Sequence, residues 1–134
     1  TFKKSLIKKM GEIIHSIRIK GLKKIRRVNA LFDSGASTTY IREDLANDIG
    51  MVRLQKVSTF LADKRENIGI LSEIVIIINK SIIPTRAIIV DKLDNQIIIG
   101  VDFMQSTKSF LDFSTDRLRL KDEVRILKNR KFRL

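Results

Sequence analysis

The chain of 134 residues contains no cysteine and a single histidine, His15. The absence of cysteine excludes disulfide bonds, cysteine nucleophiles and cysteine-ligated zinc sites. One histidine cannot form a metal-histidine cluster within one chain, and a Ser-His-Asp triad would depend on that residue alone. Carboxylates therefore remain as the candidates for acid-base chemistry, and we expect neither a metal nor another cofactor.

Aromatic residues and long apolar runs are also scarce. Aromatics make up 6% of the chain and Trp is absent, which leaves little material for stacking nucleic-acid bases. The longest apolar run, Ile74 to Ile78, has the length of a strand and not of a membrane span. Because the sequence begins at Thr1, we keep open a removed upstream segment, such as the membrane anchor of a bacterial protein with a soluble catalytic domain. The compartment is otherwise not predicted.

The net charge of +12 is unevenly distributed. Residues 1–27 carry ten Lys or Arg and one Glu, and residues 117–134 carry eight basic and two acidic residues. The body between them, residues 28–116, has nine basic and twelve acidic residues and is slightly negative. We therefore divide the chain into a basic leader (1–11), one domain (12–120) and a basic tail (121–134) that could belong to a dimer interface.

Alternating residues predict a β-hairpin that ends at Asp33. From Glu12 to Lys20, apolar residues and His15 alternate with polar residues, which is the period of a strand. Lys20-Gly21 is typical of a turn, and Lys23 to Phe32 predicts a second strand that becomes apolar at its end. This strand would deliver Asp33 into a loop.

The rest of the chain predicts short strands and one short helix. Ile41, Leu45 and Ile49 share a helical face, and we expect Gly50 to end this helix. Pro84 near the start of its strand suggests an edge position. Further strands are predicted at 57–61, 68–78, 82–90 and 97–99, with a last hairpin at 110–113 and 117–120. The predicted fold class is mainly β.

The most informative stretch is ALFDSGAST, residues 30–38. The apolar approach places the Asp33 carboxylate where its charge is poorly solvated. Ser34 can hold the loop by hydrogen bonds, and Gly35 allows a tight turn close to the acid. Taken alone, Asp-Ser-Gly is also the sequence of an ordinary turn.

The order of motifs resembles that of the retropepsin-like aspartic proteases. ALFDSGAST is followed by a short helix ending at Gly50, a hairpin, and then Ile98-Ile99-Gly100 with Asp102-Phe103-Met104. The resemblance runs from about Gly11 to Leu120 and is nearest to bacterial single-domain members. It implies a closed β-barrel of the acid-protease type with one short helix, active as a homodimer on polypeptide substrates.

The resemblance implies a role for each matched residue. Asp33 would be the catalytic aspartate, and Ser34 would brace the two active-site loops across the dimer. Gly35 would offer its backbone to the substrate. Three residues beside it would line the cleft: Ala36, Ser37 and Thr38. Three others would pack beneath the loop and support it: Ile98, Ile99 and Gly100.

The resemblance also implies a flap that closes over the bound peptide. Its residues would be Ala62, Asp63, Lys64, Arg65, Glu66 and Asn67. Related flaps often carry glycine near the tip, whereas the first glycine here is Gly69. Retroviral members commonly have acidic residues after the alanine, where this chain has Ser37-Thr38. Contacts to the ends of the substrate should therefore differ.

Carboxylate chemistry agrees with a protease that hydrolyses peptide bonds. Two adjacent carboxylates that share one proton can activate a water and protonate the carbonyl oxygen; the aspartic proteases are a standard example of such a pair. The chain contains one Asp-Ser-Gly, so one copy supplies half a site. A homodimer that brings two Asp33 residues together would complete it.

Two other functions remain open from the sequence. One is a small basic β-barrel that binds nucleic acid, although the charge lies outside the β-rich body. The other is an inactive retropepsin fold that serves as a dimerisation module. Asp102 is interpreted as a helix cap and His15 as a strand residue. Because both ends are basic, a dimer built from interleaved terminal strands would bring like charges together. We therefore expect outward-pointing side chains, a differently built interface, or a homodimer that is weak at low salt.

Overall fold

The computed structural model describes residues 11–60 and 66–120. Most of the predicted leader, the predicted tail and the flap residues Ala62 to Arg65 lie outside the described residues. Within the described part there are nine strands and two short helices. The prediction of a mainly β fold is confirmed, whereas the prediction of one helix is wrong, since a second helix follows Gly100.

Strands and helices follow one another with short connections. The strands are β1 (Glu12–Lys20), β2 (Ile25–Asp33), β3 (Tyr40–Arg42), β4 (Val52–Phe60), β5 (Glu66–Ile78), β6 (Ser81–Val90), β7 (Ile97–Ile99), β8 (Ser109–Asp112) and β9 (Arg117–Leu120). The helices are α1 (Glu43–Ile49) and α2 (Val101–Ser106).

Seven of the strands form one closed sheet. Their order is β1-β2-β7-β3-β6-β5-β4, and an additional pairing between β1 and β5 closes six of them into a barrel. Strand β4 pairs with β5 outside this ring, and β8 and β9 form a separate hairpin. Most neighbours are antiparallel, but β2 runs parallel to β7 and β3 runs parallel to β6.

Isoleucine fills most of the barrel interior. On β1 the inward positions Ile13, Ile17 and Ile19 are at most 2% exposed, which confirms the alternation predicted for this strand. β-branched side chains fit this pleated, buried surface well, and each fully buried one contributes roughly 1.5–3 kcal/mol. His15 lies at an inward position and meets the ring of Phe32 edge-on, with 6.2 Å between the ring centroids. His15 is thus a packed strand residue.

Helix α1 begins later than the apolar spacing predicts. Residues 40–42 form β3, where Tyr40 pairs with Ile88 of β6 on one side and Ile98 of β7 on the other. Ile41 is buried in this strand, so its spacing to Leu45 imitates a helical face without belonging to the helix. The predicted end is confirmed, because Gly50 adopts a left-handed conformation with φ 75°.

Pro84 does not mark an edge strand. Strand β6 lies between β5 and β3 in the sheet, so the predicted edge position is wrong for the strand as a whole. However, β3 pairs only with residues 88–90, and Pro84 has a ladder partner on one side alone, Val75 of β5. Around Pro84, the side of β6 turned away from β5 thus has no strand neighbour among the described residues, which is a setting that proline tolerates.

The turn between β1 and β2 is docked on the end of helix α1. The N–H groups of Leu22 and Lys23 donate to the carbonyl oxygens of Gly50 (2.6 Å) and Ile49 (2.9 Å). Below this contact, Asp48 accepts from Lys24 Nζ at 2.9 Å and from Arg26 at 3.0 Å, and these hydrogen bonds lower the pKa of Asp48. The end of the β1–β2 hairpin that lies farthest from Asp33 is therefore fixed by helix α1.

Replacing Gly21 by alanine should weaken this docking. A Cβ at Gly21 would overlap the carbonyl oxygen of Ile49 and lie 2.7 Å from that of Gly50. Overpacking of this kind lowers the free energy of unfolding by about 1–3 kcal/mol. Urea unfolding should show this loss of stability for Gly21→Ala but not for Leu22→Ala, because Leu22 is 78% exposed. Equal midpoints for the two variants would contradict the docking.

Candidate active site

Asp33 is the last residue of β2 and lies where this strand leaves the barrel. The preceding residues pair in parallel with β7, Leu31 with Ile98 and Phe32 with Ile99. Phe32 is fully buried, whereas Asp33 is half-buried. The strand thus anchors its apolar end in the core and leaves the carboxylate at the surface of the barrel.

The loop after Asp33 folds back on the carboxylate. The N–H of Ala36 donates to the carbonyl oxygen of Asp33 at 3.1 Å, which closes a tight turn. The N–H of Gly35 donates to Oδ1 of Asp33 at 2.8 Å. A Cβ at Gly35 would lie 3.2 Å from the same oxygen, so glycine allows the backbone to approach the acid closely. The carboxylate is held in one orientation by its own loop.

Ser34 is tied to the residue that precedes β1. Its N–H donates to the carbonyl oxygen of Gly11 at 2.8 Å, and its hydroxyl donates to the same oxygen at 3.2 Å. Gly11 has φ 84°, and a Cβ there would lie 2.6 Å from the Ser34 hydroxyl oxygen. These are contacts within one copy, and the predicted brace across a dimer stays a prediction.

Gly100 packs directly beneath the active-site loop. A Cβ on this buried residue would lie 2.7 Å from the carbonyl oxygen of Ala36 and 2.5 Å from that of Thr38. The next residue, Val101, donates its N–H to the carbonyl oxygen of Ala36 at 2.7 Å. The glycine therefore lets residues 97–101 run in backbone contact with the loop.

Asp102 contacts the far end of the same loop. Its Oδ1 accepts from the hydroxyl of Thr39 at 2.8 Å, and its Oδ2 accepts from the N–H of Thr39 at 3.2 Å. The N-cap of α2 is Gly100, so the interpretation of Asp102 as the helix cap is wrong. Sequence reasoning also missed Thr39, because the two partners are separated by 63 residues and no local pattern joins them.

The residues predicted for the flap lie between and within β4 and β5, which pair as an antiparallel hairpin. Glu66 and Asn67 were predicted to precede the strand at 68–78, but they belong to β5 and pair with Phe60 and Thr59. The predicted start of this strand is therefore wrong by two residues, and their role in a flap stays a prediction. The other flap residues, Ala62, Asp63, Lys64 and Arg65, lie outside the described residues. The hydroxyl groups of Tyr40 and Thr59 are 2.6 Å apart, which joins the first arm of the hairpin to β3.

A groove of about 650 Å³ lies beside Ser34, between α2 and the β8–β9 hairpin. Phe110 and Phe113, which line it, are 46% and 54% exposed. Exposed aromatic side chains next to the active-site loop form an apolar surface that a partner could cover.

Within residues 11–60 and 66–120, no group of three His, Cys, Asp or Glu side chains could hold a metal ion. In the same ranges, no helix is long and apolar enough to span a membrane.

Residues 17–106 match the family described as gag-polyprotein putative aspartyl protease. The chain belongs to this family. The match includes Asp33, the loop that follows it and the segment that ends in α2. A search of curated proteins finds no match.

Solved structures of similar shape agree with the assignment to the aspartic proteases. The retroviral protease-like domain of Ddi1 from Leishmania major is 15% identical with a TM-score of 0.60, covering 85% of this chain and 91% of that domain. The EIAV protease, solved with an inhibitor, is 17% identical with a TM-score of 0.57 and coverages of 78% and 95%. A retropepsin-like aspartic protease from Rickettsia conorii is 20% identical with a TM-score of 0.58 and coverages of 80% and 81%. The predicted retropepsin-like fold is confirmed.

Adding a methyl group at Gly100 should displace the loop that follows Asp33. Because the new Cβ would meet two backbone oxygens, Gly100→Ala should lower the free energy of unfolding by about 1–3 kcal/mol. It should also speed hydrogen exchange at the Val101 amide, which donates to Ala36. Ser37→Ala, an exposed change in the same loop, is the control. An unchanged exchange rate at Val101 would contradict the packing.

Proposed function

We propose that this aspartic protease is an endopeptidase whose active site is formed by two copies of Asp33, one from each chain of a homodimer. The observation that carries the proposal is the orientation of Asp33 by the N–H of Gly35 in a chain with a single Asp-Ser-Gly. Among the described residues, Oδ1 is the oxygen of Asp33 that accepts a hydrogen bond. The other oxygen is left for water, substrate or a second carboxylate.

The proposed reaction is hydrolysis of a peptide bond by water. The ionised Asp33 takes a proton from water while the water oxygen bonds to the carbonyl carbon. The protonated Asp33 of the second copy gives its proton to the carbonyl oxygen, which forms a neutral diol. The C–N bond then breaks as the nitrogen takes the proton held by the first Asp33, while a hydroxyl of the diol gives its proton to the second Asp33. The products are a carboxylic acid and an amine, and the pair of acids again shares one proton. A shared proton suits this cycle because two close carboxylates resist double ionisation.

The residues around Asp33 fit a substrate cleft. In the proposal, Gly35, Ala36, Ser37 and Thr38 contact the peptide. Gly35 and Ser37 are exposed, and Ala36 and Thr38 are half-buried, so the loop presents both backbone and side chains to solvent. The predicted flap, residues 62–67, would cover the bound peptide. Ile98, Ile99 and Gly100 would hold the floor of the site.

The groove beside Ser34 supports the proposed position of the second copy. A dimer there would cover the exposed Phe110 and Phe113 and bring the two loops close to each other. A surface next to the catalytic loop is the place where a partner can complete the site. Membrane attachment through a segment upstream of Thr1 stays a prediction.

Asp33→Asn should abolish cleavage of a peptide library. The asparagine amide can neither take the proton from the water nor give one to the carbonyl oxygen, so kcat/KM should fall by at least about 10²-fold. Cleavage should be read by mass spectrometry between pH 3 and 8, where we expect a bell-shaped dependence from acidic to near-neutral pH. Asp91→Asn, an exposed acid after β6, is the matched control. Cleavage that persists in Asp33→Asn would reject the mechanism.

Activity should also depend on dimer formation. The specific rate should rise with protein concentration and reach a plateau, because a single copy holds one catalytic acid. If the basic termini lie in the interface, added salt should move the plateau to lower protein concentration by screening their repulsion. Analytical ultracentrifugation under the same conditions gives the dimer fraction. A rate per chain that is independent of concentration, with monomers only, would contradict the proposal. Dimers without cleavage would indicate the dimerisation module instead.

A further inference from the structure

The two ends of the active-site loop are held in different ways. At its start, Phe32 is fixed by the parallel pairing of β2 with β7. At its end, Thr39 directly precedes β3, and its carbonyl oxygen joins the sheet by accepting from the N–H of Ile88 of β6 at 2.9 Å. The N–H and the hydroxyl group of Thr39 take no part in this pairing and depend on other partners.

Thr39 is fully buried, and all of its polar groups have partners. Its N–H and hydroxyl both donate to Asp102, its hydroxyl oxygen accepts from the N–H of Gly100 at 3.1 Å, and its carbonyl oxygen accepts from the N–H of Ile88 at 2.9 Å. A buried group that loses its partner is destabilised by its full desolvation. Thr39 can thus occupy this position only while Asp102 accepts both of its donors.

The Asp102 carboxylate receives donors only. Besides the two from Thr39, Oδ1 accepts from the N–H of Phe103 at 2.8 Å. Three donors that converge on two oxygens require a group that accepts at both ends. An asparagine would keep one oxygen for Phe103 and the Thr39 hydroxyl but would point its NH₂ at the N–H of Thr39.

We propose that Asp102 is a positioning residue of the protease reaction. It holds the end of the 33–38 loop against α2 through Thr39, and so sets where Asp33 stands relative to Asp33 of the second copy. The inference rests on the proposed dimeric function. Asp102 touches neither the scissile bond nor the water, and its effect reaches the reaction through the backbone of the loop.

A role confined to helix stability does not account for this arrangement. Helix α2 has six residues, and its cap is Gly100. The contact with Phe103 serves the helix, but both contacts with Thr39 leave it and reach the loop. Loss of Asp102 should therefore alter the geometry of the site beyond any loss of stability.

The first experiment compares the pH dependence of kcat in the wild type and Asp102→Asn. Misplacement of the acids should lower kcat by about 10²-fold, with a smaller change in KM. Because the closeness of the two carboxylates separates the two apparent pKa values of the pair, these values should move towards each other and narrow the bell. Other titratable groups near the loop are Glu12, directly opposite Asp33, and His15, both on β1. Neither is changed by the substitution.

Matched variants isolate the contact with Thr39. Asp91→Asn removes the same charge at an exposed position and should leave the bell unchanged. Thr39→Ser keeps the hydroxyl and should retain the wild-type bell, whereas Thr39→Val removes it and should narrow the bell as Asp102→Asn does. In a double variant with both Asp102→Asn and Thr39→Val, the two effects on the pH profile should not add, because both substitutions break the same hydrogen-bond network.

The outcomes separate this inference from the proposed function. If the wild type cleaves peptides and Asp102→Asn only lowers the amplitude of an unchanged bell, Asp102 stabilises the fold and the inference is overturned. If the wild type cleaves nothing, the proposed function fails, and hydrogen exchange of the Gly35 and Ala36 amides decides the inference. Faster exchange at both amides in Asp102→Asn but not in Asp91→Asn supports positioning, and equal exchange overturns it.

Discussion

The geometry of the active site depends on one short segment, residues 97–102, that lies between the two ends of the active-site loop. Ile98 pairs with Leu31 on one side and with Tyr40 on the other. Because adjacent strands are about 4.8 Å apart, the chain before and after the loop is separated by roughly two such spacings. The loop of residues 33–38 must span a gap of about that size across β7. It therefore passes close to the end of β7, where Gly100 leaves room for its backbone.

The segment also carries a polar network into the interior. Thr39 and Gly100 are both buried, yet among the described residues no buried side-chain nitrogen or oxygen lacks a hydrogen-bond partner. Asp102, at the outer end of this network, is exposed, whereas the groups of Thr39 that it holds are buried. A shift of the segment would leave these buried groups unsatisfied, so one arrangement is favoured. An enzyme that must present a carboxylate in one orientation gains from such a foundation, since little reorganisation is left for the reaction.

Local patterns in the sequence predicted the parts of the fold that depend on local physics. The strand from Glu12 to Lys20 follows from period-2 alternation, and the end of α1 follows from the conformational freedom of Gly50. Ile41 was placed in the helix because burial in a neighbouring strand gives the same apolar spacing. The family motifs led to the loop around Asp33, but the pairing of Asp102 with Thr39 arises only when distant segments meet. No periodicity or composition encodes it.

Strand β4 forms the outer end of the sheet in the part of the chain that the structure describes, with β5 as its one ladder neighbour. Its pairing is irregular between Arg53 and Gln55, and Arg53 and Lys56 are exposed along it. Bulges and exposed cations commonly prevent an edge strand from pairing with a strand of another chain. Strand β4 is therefore a poor template for a strand of another chain, so open-ended assembly of copies through this edge is disfavoured.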